Sequence, residues 1–252
     1  MNMILLTALG VGGATVVGAL IGFLFKNISH KFSDIVLSFA AGVMLCAAVM
    51  GLIVPSLSHG GSFPLAVTVV GIFCGAFVLN LLDKLVPHLH RISGTDIESH
   101  SPSDAKLGKV LLFVMAIAIH NLPEGIAAGV GFGTENTAEA FTIAAGIALQ
   151  NVPEGMVIIA PMLAAGMSKK RTFAIASFTG FVEVAGTFLG YFAVSISSAV
   201  LPFALAFAGG TMLYVISDEM IPETHSHESA RGVTYALLAG FCLMLAMDFY
   251  MG

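Results

Sequence analysis

Ile119-His120-Asn121-Leu122-Pro123-Glu124-Gly125 returns thirty residues later as Leu149-Gln150-Asn151-Val152-Pro153-Glu154-Gly155. Each copy puts amides, a carboxylate and a proline into a run that is otherwise apolar and long enough to cross a membrane. Such groups are costly in hydrocarbon, so a functional site is their default reading. Positions i and i+4 share a helix face, which aligns His120 with Glu124 and Gln150 with Glu154. Asn121 and Asn151, one residue on and rotated by about 100°, close the side. Each proline frees the carbonyl four residues earlier, at Ile119 and Leu149. In a membrane such a carbonyl is tolerated only where it is buried in protein or lines a hydrated cavity. Imidazole, carboxylates and amides suit a divalent transition metal such as Zn²⁺ better than Ca²⁺ or Mg²⁺, which prefer all-oxygen shells. Glu183, between Gly180 and Gly186 in a later apolar run, is a third buried carboxylate. Three together cannot all stay charged without a cation, so metal binding is expected to displace protons. One cation, or two bridged by the carboxylates, would satisfy the residues equally.

Two weaker candidates join this set. Met44 offers a thioether, a soft ligand when it is not simply packing. Asp218 and Glu219 stand near the end of the seventh apolar run, where a structural role and a functional one weigh evenly.

The elements that must position these residues follow from composition. The chain has 252 residues, 57% hydrophobic and only 10% charged, with a mean hydropathy of +0.96. A soluble domain would carry about 25% charge, so the chain reads as an integral membrane protein. Continuous apolar runs of about the 20 residues a span requires occur near 3–25, 35–57, 63–86, 110–132, 141–167, 172–196, 199–221 and 233–250. A barrel would show shorter, alternating segments. The expectation is an all-α bundle of eight transmembrane helices forming one polytopic domain over 1–252, with kinked fourth and fifth helices building a central metal site. The first run has no basic residue before it and is too long for a signal-peptide core, so it reads as a retained helix. Cys46, Cys74 and Cys242 fall inside spans and imply no disulfide framework.

All ten Lys and Arg fall on one side of an eight-span arrangement. They are Lys26 and Lys31, then Lys84, Arg91, Lys106 and Lys109, then Lys169, Lys170 and Arg171, and finally Arg231. Basic residues stay in the cytoplasm, so both termini are expected outside. Residues 91–106 read as a flexible cytoplasmic loop containing His100. Asp83, Lys84, Pro87, His88 and His90 form an interfacial cap before it, or an exit for a cation. Glu135 and Glu139 lie in an outward loop whose acidity favours cations. His225 and His227 follow Pro222 and Glu223 at the cytoplasmic end of the seventh run. The glycine-rich first run conveys tight helix packing and nothing more.

His120-Asn-Leu-Pro-Glu-Gly125 and Gln150-Asn-Val-Pro-Glu-Gly155, in the fourth and fifth of eight helices, resemble the paired motifs of the ZIP (Zrt/Irt-like) divalent-metal transporters, most closely their prokaryotic GufA-type branch. The resemblance covers essentially the whole chain. It implies uptake of Zn²⁺ into the cytoplasm across the cell membrane, with tolerance for Fe²⁺, Mn²⁺ or Cd²⁺, through a binuclear site between the fourth and fifth helices. By position His120, Glu124, Gln150 and Glu154 resemble the primary ligands, and Asn121, Asn151 and Glu183 those of a second site. Met44 matches the ligand from the second helix, and Asp218 and Glu219 the polar route inward. A homodimer is implied, as is motion of the site-bearing helices against a more static part. The metal is substrate, with no cofactor and no nucleic acid among the partners. Many members carry histidine where this chain has Gln150 and an acid where it has Asn151. Both changes weaken the donor set, which implies a broad-range carrier of moderate affinity. The alternative from another class is an intramembrane zinc metalloenzyme using the His-x-x-x-Glu face. It would normally show His-Glu-x-x-His, and no such string occurs.

Overall fold

The computed structural model describes residues 2–25, 29–92, 102–134, 136–225 and 230–251, with the backbone alone described at 83, 85–92, 102–113, 116, 198 and 230. Among the described residues every regular element is helical. The long helices are α1 (Asn2–Leu24), α2 (His30–Cys46), α4 (Pro64–Ile92), α5 (Pro102–Gly131), α6 (Thr137–Val157), α8 (Lys169–Ile196), α9 (Leu201–Val215) and α11 (Ala230–Met251). Short helices extend three of them: α3 (Val54–His59) after α2, α7 (Ile159–Ala164) after α6 and α10 (Ile221–His225) after α9. Seven helical stretches among the described residues are long and apolar enough to span a membrane; α5 is the eighth long helix.

Local chemistry sets the boundaries. Ser29, Asn136 and Ser168 cap α2, α6 and α8, their side-chain oxygens accepting from Phe32 N, Ala138 N and Arg171 N, which satisfies donors that a helix start leaves open. Of the loop expected over 91–106, residues 91–92 end one helix, 102–106 begin the next, and 93–101 lie outside the described residues. α4 runs on to Ile92 and α5 already begins at Pro102, a residue suited to a first helical position because it has no N–H to satisfy there. His100, Glu135, His227 and Lys26 lie outside the described residues, as do the side chains of Asp83, His88, His90, Lys106 and Lys109.

Two spans contain a wide π-helical turn just before a proline. One covers Ala47–Ile53, with Val54 N donating to Val49 O and Pro55 following. The other covers Ile216–Met220, with Ile221 N donating to Ile216 O and Pro222 following. A proline ring clashes with the carbonyl four residues back, and a single wide turn relieves it. Pro123 and Pro153 instead lie inside α5 and α6, and α6 gives way only at Ile158.

These matched turns belong to an internal repeat. α5 packs most extensively on α8, α6 on α1, α2 on α11 and α4 on α9, with α1 against α8. Exchanging α1 with α8, α2 with α9, α4 with α11 and α5 with α6 maps this pattern onto itself. The exchanged helices run in opposite directions, so the repeat is inverted. Its signature is written in the sequence as Gly12-x-x-Thr15-x-x-Gly18-x-x-x-Gly22 and Gly180-x-x-Glu183-x-x-Gly186-x-x-x-Gly190. Each glycine lets one backbone lie against another. Gly12 and Gly180 face each other, Gly18 meets Val152 as Gly186 meets Leu122, and Gly22 meets Met156 as Gly190 meets Ile126. Helices associate in lipid through such close approach.

The molecule thus divides into a quartet of α1, α5, α6 and α8 and a quartet of α2, α4, α9 and α11. The apolar core lies where they meet. It holds Met44, Leu52, Ala127, Val130, Ile143, Ile147, Leu205 and Met212.

Candidate metal centre

The motif residues stand where α5 and α6 cross between α1, α8 and α9. His120, Asn121, Glu124, Gln150, Asn151, Glu154 and Glu183 are all buried. The glycine ending each motif explains how they come together: Gly125 lies against the backbone of Glu183 and Gly155 against that of Thr15. Any side chain at either glycine would push α5 off α8, or α6 off α1.

Two sub-sites result, with opposite character. In the first, the Glu183 carboxylate is ringed by donors. Thr15 Oγ1 donates to Oε1 at 2.7 Å, Asn121 Nδ2 to Oε1 at 2.5 Å, and Asn151 Nδ2 to Oε2 at 2.6 Å. Asn151 Nδ2 also donates to Val11 O at 3.1 Å. Four helices are thereby tied through one carboxylate.

The second sub-site opens on a cavity of about 420 Å³ walled by His120, Glu124, Glu154, Asp218, Glu219 and Glu223 among apolar residues that include Leu37, Val157 and Pro222. Among the described residues no Lys or Arg lines it, so its field favours cations. Its donors are short of partners. His120 Nε2 and Glu124 Oε2 make no hydrogen bond, nor does either polar atom of the Gln150 amide, although Gln150 lies beside Glu124. His120 Nε2 stands 2.6 Å from Glu219 Oε1. Orphaned buried polar atoms are rare in folded proteins, and an absent ion is one of the few explanations. Among the described residues no three His, Cys, Asp or Glu side chains are already gathered round one point. A closed shell therefore needs the amide oxygens or small side-chain rotations.

The structure brings together most of the residues singled out from the sequence. His120, Glu124 and Glu154 share the cavity wall with Asp218 and Glu219, which the wide turn at Ile216–Met220 carries to it. Gln150 is wholly buried beside Glu124. Asn121 and Asn151 are turned toward Glu183. Met44 is not on the cavity wall; it is wholly buried in the apolar core with Leu52 and Met212.

Two residues were missed. Glu223 lines the cavity, and the Pro222-Glu223 step after an acidic pair was its signal. Thr15 binds Glu183, which corrects the reading of the first helix as packing alone. Its signal was the glycine frame above, in which Thr15 occupies the place of Glu183.

Residues 96–248, a stretch holding both motifs and Glu183, match the family described as ZIP zinc transporter. The chain is 37% identical to the zinc transporter GufA of Myxococcus xanthus over 98% of both chains. It is 36% identical to the zinc transporter ZIPB of Bordetella bronchiseptica over 95% of this chain and 78% of that one. With the zinc transporter ZupT of Chlorobaculum parvum it shares 35% identity over 92% and 91%. Both the paired motifs and these likenesses run through the same helices, and the chain belongs to the ZIP family of zinc transporters.

Proposed function

We propose that the chain carries divalent transition-metal cations, Zn²⁺ foremost, across the cell membrane into the cytoplasm. The observation that carries this reading is the cavity wall on which His120, Glu124 and Glu154 stand among further carboxylates while neighbouring buried donors lack partners. His120, Glu124 and Glu154 hold the cation, with Gln150 beside them. Borderline-soft Zn²⁺ accepts this mixture of nitrogen and oxygen, and substitution of Gln150 for an imidazole widens tolerance toward harder cations such as Mn²⁺.

Both termini face away from the cytoplasm, because Lys31, Lys169, Lys170, Arg171 and Arg231 all lie at one end. The cavity reaches toward that same end through Leu37 and Pro222. Asp218, Glu219 and Glu223 then receive a cation leaving His120 and the two glutamates, and the short His120 to Glu219 approach makes the first transfer local. On the opposite side Leu52, Val130, Ile143 and Leu205 fill the space with apolar atoms. Passage of a cation from that side requires the quartet of α1, α5, α6 and α8 to shift against the other. Kinks at Pro123 and Pro153 give α5 and α6 their bend at the site. The chain works as a homodimer, which cross-linking in the membrane would test.

An intramembrane enzyme has nothing in its favour, since the family is one of transporters and the site holds no His-Glu-x-x-His constellation. Reconstitution into liposomes enclosing a zinc-sensitive dye tests the reading. Wild type should give a zinc-dependent signal that Glu154→Ala loses. Undiminished flux in that variant would sink the site assignment.

A further inference from the structure

The hydrogen bonds around Glu183 separate it from the carboxylates on the cavity wall. A carboxylate offers about four lone-pair directions. Three at Glu183 are committed, to Thr15, Asn121 and Asn151, and its side chain is wholly buried. The orientation of Asn151 is fixed by its surroundings. Both hydrogens of Nδ2 are used, one on Glu183 Oε2 and one on the Val11 carbonyl. A flipped amide would set its oxygen against two acceptors, so the nitrogen must point this way. Asn121 obeys the same constraint through Glu183 Oε1. The Oδ1 atoms of both asparagines are consequently left as the free ends, buried and without partners. Glu124 and Glu154 remain the carboxylates on the cavity wall within the motifs, and two negative charges balance one divalent cation.

We infer that Glu183 is a positioning residue and not a ligand: it holds Asn121 and Asn151 nitrogen-inward, so that their oxygens complete the shell of a single cation on His120, Glu124 and Glu154. This rests on the transport-site reading above. It departs from the second metal site that the family resemblance implies for Asn121, Asn151 and Glu183, and the departure comes from Asn151. An aspartate there would have no hydrogen to give. It would stand against Glu183 as a second carboxylate, and a second cation would then be needed between them.

Metal stoichiometry decides the matter. Purified protein in lipid nanodiscs would be dialysed to equilibrium with Cd²⁺, and the bound ion counted and observed by ¹¹³Cd resonance. Wild type should hold one Cd²⁺ per chain and show one resonance. Glu183→Gln should still hold one, with affinity about 10- to 100-fold weaker, the usual cost of losing a partner that orients a ligand. Asn151→Asp should hold two. Two ions on wild type with one on Glu183→Gln would make Glu183 a ligand and overturn the inference, as would a single ion on Asn151→Asp. No ion on wild type would overturn the transport-site reading itself, and this inference with it. The wild-type count and Glu183→Gln decide the question even if Asn151→Asp fails to fold.

Discussion

The two quartets bury their interiors in different ways. In the group of α1, α5, α6 and α8, glycines bring backbones into contact and short polar side chains reach one carboxylate, Glu183, at the centre. In the group of α2, α4, α9 and α11 glycines also bring backbones together, Gly42 and Gly240 between α2 and α11 and Gly75 and Gly210 between α4 and α9. The space between is nevertheless filled by bulk: Met44, Leu52, Leu205 and Met212 are wholly buried, and the irregularity is in the backbone, in the wide turns ahead of Pro55 and Pro222. Close approach makes a polar interior affordable, because Asn and Thr are too short to bridge helices spaced by leucines. The second group meets the site through the turn bearing Asp218 and Glu219, through Pro222 and Glu223 just after it and through Leu37 of α2. The candidate cation site therefore sits on the boundary between a polar-cored group and a dry one.

This contrast can be broken at its extremes. Gly155→Leu places a side chain on the backbone of Thr15, where nothing flexible can give way, and should cost more than about 3 kcal/mol. We expect no monodisperse protein by size-exclusion chromatography. Leu52→Ala in the dry group should lower stability by about 2–5 kcal/mol through the cavity it leaves. Thermal melts would show the loss, and Cd²⁺ binding at a temperature where the variant is folded should persist. Acid should act on the site directly. A cation displaces protons from the site carboxylates, so affinity falls as pH falls, by about tenfold per pH unit for each proton displaced. Equilibrium dialysis between about pH 5 and 7.5 would check it, and a flat profile would count against proton displacement. Ser38→Ala removes the hydrogen bond from α2 to Thr224 and should cost about 1 kcal/mol, with metal affinity unchanged. The smallest effect belongs to Gly13→Ala, where the added methyl meets open space. It should leave stability unchanged or raise it by up to about 1 kcal/mol.

Most of the fold was legible in the sequence because lipid imposes a simple rule: each span must be a long apolar helix, and the runs count themselves. The motif residues were legible for the same reason, since an unpaired amide or carboxylate in hydrocarbon has few structural excuses. What the sequence concealed was direction. Nothing in Asn121 or Asn151 says which end of the amide faces Glu183, and only the acceptors placed by α1 and α8 decide it. Thr15 and the extension of the inverted repeat beyond the paired motifs of α5 and α6 were hidden by similarity at glycines alone, with threonine standing opposite glutamate. The wide turns went unseen because periodicity reads straight through a helix that gains one residue in a turn.

The most direct test of this account is to locate the cation. Anomalous diffraction from crystals grown with Cd²⁺ should show one peak per chain against His120, Glu124 and Glu154, with Glu183 still bonded to Thr15, Asn121 and Asn151. A peak coordinated by Glu183, or none within the quartet of α1, α5, α6 and α8, would contradict it.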